Sequence, residues 1–180
     1  MVISKIRIKQ NSWQYFNLNV GGFAIRNCRW HPPTKRVLFP VRYDRAGRRR
    51  KVILVHGVLV KRLQQLLSSG EHRTPRDRRP CNLKIGRCRV NWEPNAAHTS
   101  MTAWVIFNFS VRGFTILDCR WHPDSGSIQL PVSFREISAP RAGSRYRKIP
   151  VVCAYGAHIK RLRAALEFAN ADWLARRRAA

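Results

Sequence analysis

A long segment of this chain is written twice, and that repetition restricts the fold more than any other feature. Trp13-x-x-Phe16-Asn17 is followed by Gly22-Phe23-x-Ile25-x-x-Cys28-Arg29-Trp30-His31-Pro32 and then Pro40-Val41. The same string returns as Trp104-x-x-Phe107-Asn108, Gly113-Phe114-x-Ile116-x-x-Cys119-Arg120-Trp121-His122-Pro123 and Pro131-Val132, at one offset, 104 − 13 = 131 − 40 = 91. Self-similarity of this extent makes each copy one structural unit. Downstream, Lys61-Arg62-Leu63 matches Lys160-Arg161-Leu162 at 160 − 61 = 99, so the second copy carries extra residues, which fall around Ser138 to Ser144. Upstream, the segment from Ile3 aligns with that from Ile85 at 85 − 3 = 82. Insertions thus sit where loops are expected. The division that follows is a first module over 1–69, a linker rich in Gly, Pro and Arg over 70–82, and a second module over 83–180.

Within each copy the hydrophobic period starts near two and then changes. Segments 3–9, 13–20, 23–30, 37–43 and 51–55 are short, β-branched or aromatic, and separated by Gly, Pro or charged clusters, which predicts strands. Gly21-Gly22 suits a tight hairpin with positive φ, and Arg45-Ala46-Gly47-Arg48 suits a second one. Leu59, Leu63, Leu66 and Leu67 then share one helical face, as do Ile159, Leu162, Leu166, Ala169 and Trp173, where the helix is expected to run on toward Arg176, Arg177 and Arg178. The predicted class is α+β: two tandem modules, each a curved antiparallel sheet of about five strands followed by one helix. A lone module would leave a bare face and open edges, so the copies are expected to form a pseudo-twofold pair within one chain.

Charge points to the partner. The chain has 35 Lys+Arg against 9 Asp+Glu, a formal net charge of +26, and a compact body with that much unbalanced charge repels itself unless a polyanion is near. With 44% hydrophobic and 10% aromatic residues, the cations ride on a folded scaffold rather than on a disordered tail. Arginine predominates, and its planar guanidinium grips phosphate in a bidentate way and stacks on bases. No apolar run of about 20 residues suggests a membrane span, and Met1 to Arg7 alternates apolar with polar residues, unlike a signal peptide. An intracellular, cytoplasmic location, associated with nucleic acid or a ribonucleoprotein, is the expectation. Five cysteines, an odd number without close C-x-x-C pairs, are expected to be free thiols.

The strand plan, with Gly22-Phe23-x-Ile25-x-Asn27-x-Arg29 and Phe114-x-Ile116-x-Asp118-x-Arg120 followed by Leu130-Pro131, resembles the stage V sporulation protein G family of small bacterial proteins. The resemblance covers about residues 3–67 and 85–169. It implies a sheet-plus-helix module that dimerises and binds DNA or RNA as a regulator, without enzymatic activity. Where that family has Met-Pro-Ser, this chain has Phe39-Pro40-Val41 and Leu130-Pro131-Val132, and its first copy has Asn27 in place of the family's Asp.

The candidate nucleic-acid-binding residues are clustered. Arg45, Arg48, Arg49, Arg50 and Lys51 occupy the hairpin before the last strand of the first copy, and Arg141, Arg145, Arg147 and Lys148 occupy the corresponding place in the second. Each phosphate they neutralise would release counterions and make affinity salt dependent. Further candidates are Lys61, Arg62, Lys160, Arg161 and Arg163 on the helices, and Arg73, Arg76, Arg78 and Arg79 in the linker. Solvated basic surface is the alternative role for any of these. Strict alternation along 23–30 puts Phe23, Ile25, Asn27 and Arg29 on one face and Ala24, Arg26, Cys28 and Trp30 on the other. Trp30 and Trp121 then belong to the core, to the contact between copies, or to an open platform for base stacking. Cys28 with His31 and Cys119 with His122 form two C-x-x-H units that could supply four Zn²⁺ ligands if the copies faced each other; ordinary core cysteines and turn histidines are the alternative. Asp118 and Arg120 are expected to form a structural ion pair.

The nine carboxylates are dispersed and do not pair across the repeat as a two-metal nuclease requires. No phosphate-cradling glycine motif or nucleophile elbow is present. The expectation is a non-enzymatic protein without cofactor that binds RNA or single-stranded nucleic acid, in a ribonucleoprotein with other proteins. RNA is favoured by the arginine-rich linker and the absence of an obvious recognition helix. A duplex-DNA-binding transcriptional regulator and a protein-interaction adaptor are the two alternatives.

Overall fold

Alternating apolar residues with turn glycines between them give the first copy a meander of strands. In the computed structural model, which describes residues 2–8, 12–70, 83–94, 101–136, 146–154 and 156–179, these are β1 (Val2–Ile8), β2 (Gln14–Val20) and β3 (Phe23–His31). Short strands β4 (Arg36–Leu38), β5 (Val41–Tyr43), β6 (Arg49–Lys51) and β7 (Ile53–Val55) lead to helix α1 (Gly57–Ser69). The second copy repeats the order: β8 (Leu83–Pro94), β9 (Met101–Val111), β10 (Phe114–His122), β11 (Ser127–Gln129), β12 (Val132–Glu136), β13 (Tyr146–Pro150), β14 (Val152–Ala154) and α2 (Gly156–Ala169). The fold is α+β with open antiparallel sheets. Among the described residues, no helix is long and apolar enough to cross a membrane.

The helix expected to continue through Arg178 is instead broken. α2 stops at Ala169 and α3 (Ala171–Ala179) starts after Asn170, whose side-chain amide turns back to donate to the Leu166 carbonyl at 2.7 Å. Asparagine competes with helical hydrogen bonding in this way.

The last strand of each copy joins the sheet of the other. β7 pairs antiparallel with β10, setting Ile53 opposite Ile116 and Val55 opposite Phe114. β14 pairs with β3, setting Val152 opposite Ile25 and Ala154 opposite Phe23. These are equivalent positions, because 116 − 25 = 91 and 152 − 53 = 99 are the two offsets of the repeat. The backbone confirms the correspondence: Arg26 N–H donates to the Val151 carbonyl and Leu117 N–H to the Val52 carbonyl, both at 2.9 Å. One contiguous core results, with Phe16, Leu18, Ile25, Leu63 and Val52 buried in the same cluster as Phe107, Phe109, Ile116, Leu162 and Val152. Phe23 and Phe109 rings meet at 4.7 Å between centroids, across the two copies.

A β-bulge in each copy changes which side chains face that core. The registers of β2 with β3 and of β9 with β10 shift between Ile25 and Cys28 and between Ile116 and Cys119. There Asn27 and Asp118 adopt left-handed backbone, at φ 60 and 57, a region that Asn and Asp tolerate best among residues other than glycine. Asn17 Oδ1 accepts the Asn27 N–H and Asn108 Oδ1 accepts the Asp118 N–H, each at 3.1 Å. The repeated Trp-x-x-Phe-Asn string is therefore a bulge clamp. Strict alternation is overturned by the extra residue: Phe23, Ile25, Cys28 and Trp30 are all buried, on one side.

The segments expected as single strands over 37–43 and 51–55 are each interrupted, at Phe39-Pro40 and at Val52. Proline has no N–H for the ladder, so the chain leaves the main sheet there. β5–β6 and β12–β13 form separate two-stranded arms.

The turn glycines tie the hairpins to the opposite copy's helix. Gly113 has φ 80, and a Cβ there would run into the Leu59 side chain of α1; Gly22, with φ 89, would meet His158 of α2 in the same way. Gly113→Ala and Gly22→Ala should each cost about 1–3 kcal/mol, read as a lowered urea midpoint. Because one core spans both copies, each variant should unfold in a single transition that is the same by tryptophan fluorescence and by circular dichroism.

Candidate nucleic-acid interface

The two arms lie against each other and carry the basic residues outward. The Tyr43 N–H on β5 donates to Ser133 Oγ on β12 at 3.1 Å, and the Arg45 guanidinium lies 5.5 Å from the centre of the Phe134 ring. Both contacts bridge the copies. Arg45, Arg48, Arg49, Arg50 and Lys51 are exposed on the first arm, and Arg147 and Lys148 are exposed on the second. Arg141 and Arg145 lie outside the described residues, as do Arg73, Arg76, Arg78 and Arg79 of the linker. Lys61 and Arg62 on α1, with Lys160 and Arg161 on α2, are exposed, and Arg163 is half-buried beside Gly126.

Asp44 builds the tip of the first arm. Its Oδ1 accepts the backbone N–H of Ala46 at 3.0 Å and of Arg48 at 2.9 Å, while Oδ2 takes Arg48 Nε at 2.8 Å. An aspartate closing a turn on its own backbone this way is a common use of the residue. Its carboxyl is held below the ordinary range, chiefly by the hydrogen bond from the Arg48 N–H. The contribution to the tip is complete above the ordinary carboxylate range and is lost as pH falls through the lowered value. Gly47, at φ 75, completes the turn.

Two clefts flank the arms. One, of about 830 Å³, is lined by aromatic residues Tyr15, Phe39, Tyr43, Phe134 and Tyr146 together with Arg26 and Arg29. The other, of about 560 Å³, is lined by Arg42, Arg45, Arg48, Arg120 and Lys148, with Asp44 and Asp118. The expected Asp118–Arg120 ion pair is replaced by one between copies: Asp118 Oδ2 lies 3.5 Å from Arg42 Nη1. The bulge turns Asp118 away from strand alternation and toward the arm.

Trp30 and Trp121 do not form an open stacking platform. They are 2% and 0% exposed, inside the core, because the bulge shifts both inward. The C-x-x-H units also have other partners. His31 packs on Trp13 at 4.8 Å and shares a 2.7 Å hydrogen bond with Thr34 Oγ1; His122 packs on Trp104 at 5.1 Å and its Nδ1 lies 3.2 Å from the Ser125 N–H. Burial pushes the Cys28 and Cys119 thiols up, away from the thiolate that a metal requires. Among the described residues, no group of three His, Cys, Asp or Glu side chains is placed to hold a metal ion.

The aromatic lining escaped the sequence reading, although a signal was available: Tyr43 and Phe134 are repeat equivalents, 134 − 43 = 91, each two residues after the repeated Pro-Val begins its strand. Arg42 and Asp118 carried no such signal, since their meeting depends on how the copies pack. Removing Asp44 should loosen only the arm. In Asp44→Ala, amide exchange at Ala46 and Arg48 should be roughly fivefold faster, while the Leu18 and Ile25 amides exchange at unchanged rates by NMR.

No protein-family model, curated protein or solved structure matches the chain.

Proposed function

We propose that the chain is a non-enzymatic nucleic-acid-binding protein that holds RNA or single-stranded nucleic acid by its phosphates through the arginine-rich arms, as a component of a ribonucleoprotein. The observation that carries this reading is the side-by-side packing of two arms whose cations are exposed, on a chain of net charge +26. A one-sign field concentrated on projecting hairpins is the electrostatic footprint of a polyanion partner. The reading includes an internal pseudo-twofold pairing of two modules of the stage V sporulation protein G type, supported by the matched exchange of β7 and β14. Such a pair presents both arms on one side, so that one strand of phosphates can run across them. Duplex DNA is the second reading, because α1 and α2 lay their buried leucines, Leu63 and Leu67 or Leu162 and Leu166, on the core and leave Lys61, Arg62, Lys160 and Arg161 exposed.

A salt series tests the proposal. Binding to structured RNA, single-stranded DNA and duplex DNA should weaken steeply as salt rises, with log affinity falling linearly with log salt and the single-stranded or RNA ligands ranking first. Replacing Arg48, Arg49 and Arg50 together by Ala should weaken binding to every sequence and lower the slope by about 2, since single strands lose about 0.7 per phosphate contact. A native chain that binds none of the three ligands at low salt would instead be a protein-interaction adaptor.

A further inference from the structure

The two clefts beside the arms are lined by equivalent positions of the repeat, yet their chemistry has diverged. Asn27, Arg29, Phe39 and Tyr43 in the larger cleft correspond to Asp118, Arg120, Leu130 and Phe134 in the smaller one, all at the offset of 91 (118 − 27 = 134 − 43). Tyr15 of the larger corresponds to Ile106 beside the smaller, at 106 − 15 = 91. Asp44, Arg45, Ala46 and Phe134 line both, so the clefts adjoin.

We infer that the pair of clefts holds one single-stranded nucleic-acid segment, an unpaired base stacking in the larger cleft beside Tyr43 and its neighbouring phosphates lying in the smaller. This rests on the nucleic-acid reading above and names the site within it. The larger cleft falls in the range of about 300–1,000 Å³ that small-ligand sites occupy, and it combines rings with guanidinium groups. Tyr43 is 42% exposed, which leaves its ring accessible. Rings beside cations are how proteins take single-stranded bases whatever their identity. In the smaller cleft, five cations face two carboxylates, and both carboxylates are already committed, Asp44 to Arg48 and Asp118 to Arg42. Arg45 and Lys148, which also line this cleft, are therefore not offset by either carboxylate. Arg42 Nε–H is buried and meets no acceptor among the described residues, and a phosphate oxygen would supply one as a charge-assisted bond. A duplex presents phosphates but no base that can enter a cleft, so the arrangement selects an unpaired strand.

The test uses the full chain and a single-stranded oligouridylate carrying one central 2-aminopurine, whose emission falls when the base stacks. Binding of the native chain should quench the probe. Tyr43→Ala should abolish the quench and weaken binding about tenfold, Tyr43→Phe should retain both, and the same backbone made abasic at the probe position should bind the native and Tyr43→Ala chains alike. Arg45→Ala with Arg48→Ala should weaken the labelled and abasic strands equally. Full quenching and native affinity in Tyr43→Ala would overturn the base cleft while leaving the phosphate-binding arms in place. Failure of the native chain to bind any oligonucleotide at low salt would overturn the cleft and the wider reading together.

Discussion

Two strands of three residues each, β7 and β14, hold this structure together by lying in the wrong half of the molecule. Each covers the part of a central strand that its own copy leaves bare: β14 covers Phe23 to Ile25 on β3, and β7 covers Phe114 to Ile116 on β10. The neighbouring stretches of the same edges, from Arg29 to His31 and from Arg120 to His122, are covered by β4 and β11 of their own copies. Val52, Ile53, Val151 and Val152 enter the core with the exchanged strands and are 0 to 6% exposed. Burying one such side chain contributes about 1.5–3 kcal/mol, against a net stability of about 5–15 kcal/mol for a typical domain. Losing the exchange in one half would consume much of that margin. The helices follow from it, since each begins directly after its exchanged strand and so starts over the other copy's β-hairpin, at Gly113 or Gly22.

Local pattern was enough to read the repeat, the alternating strands β2, β3, β9 and β10, the glycine hairpins and the leucine faces of α1 and α2. It failed where one residue altered the phase. Asn27 and Asp118 carry no hydrophobic signal, yet their left-handed backbone moves Cys28, Trp30, Cys119 and Trp121 to the core side. Period-two counting has no way to register an inserted residue; the conserved spacing of Asn17 and Asn108 before it is the only trace, and its meaning appears only when the side chain is seen accepting the bulge N–H. The exchange of β7 and β14 was equally hidden, because hydrophobicity says that a strand must be covered and not by which neighbour.

The site divides along the same line. Cations of the arms were legible, since a run such as Arg48-Arg49-Arg50 declares itself by composition and its turn by Gly47. What the sequence did not convey was the other half of the chemistry. Tyr43, Phe134 and Tyr146 look like ordinary strand aromatics until two arms from distant parts of the chain are laid together, and Arg42 with Asp118 look unrelated until the copies interlock. Residues that act through a junction between repeats are written in separate places, so neither place shows the function alone.

Interlocked halves made of separate chains would come apart on dilution, since their association depends on the square of protomer concentration. Here both partners are parts of one molecule, and the exchange of β7 for β14 is a unimolecular event at a fixed effective concentration. Its occupancy does not change with how much protein a cell makes. Covalent linkage also frees the two copies from having to be identical, so that a change such as Asn27 against Asp118, or Tyr15 against Ile106, alters one side without imposing itself on the other.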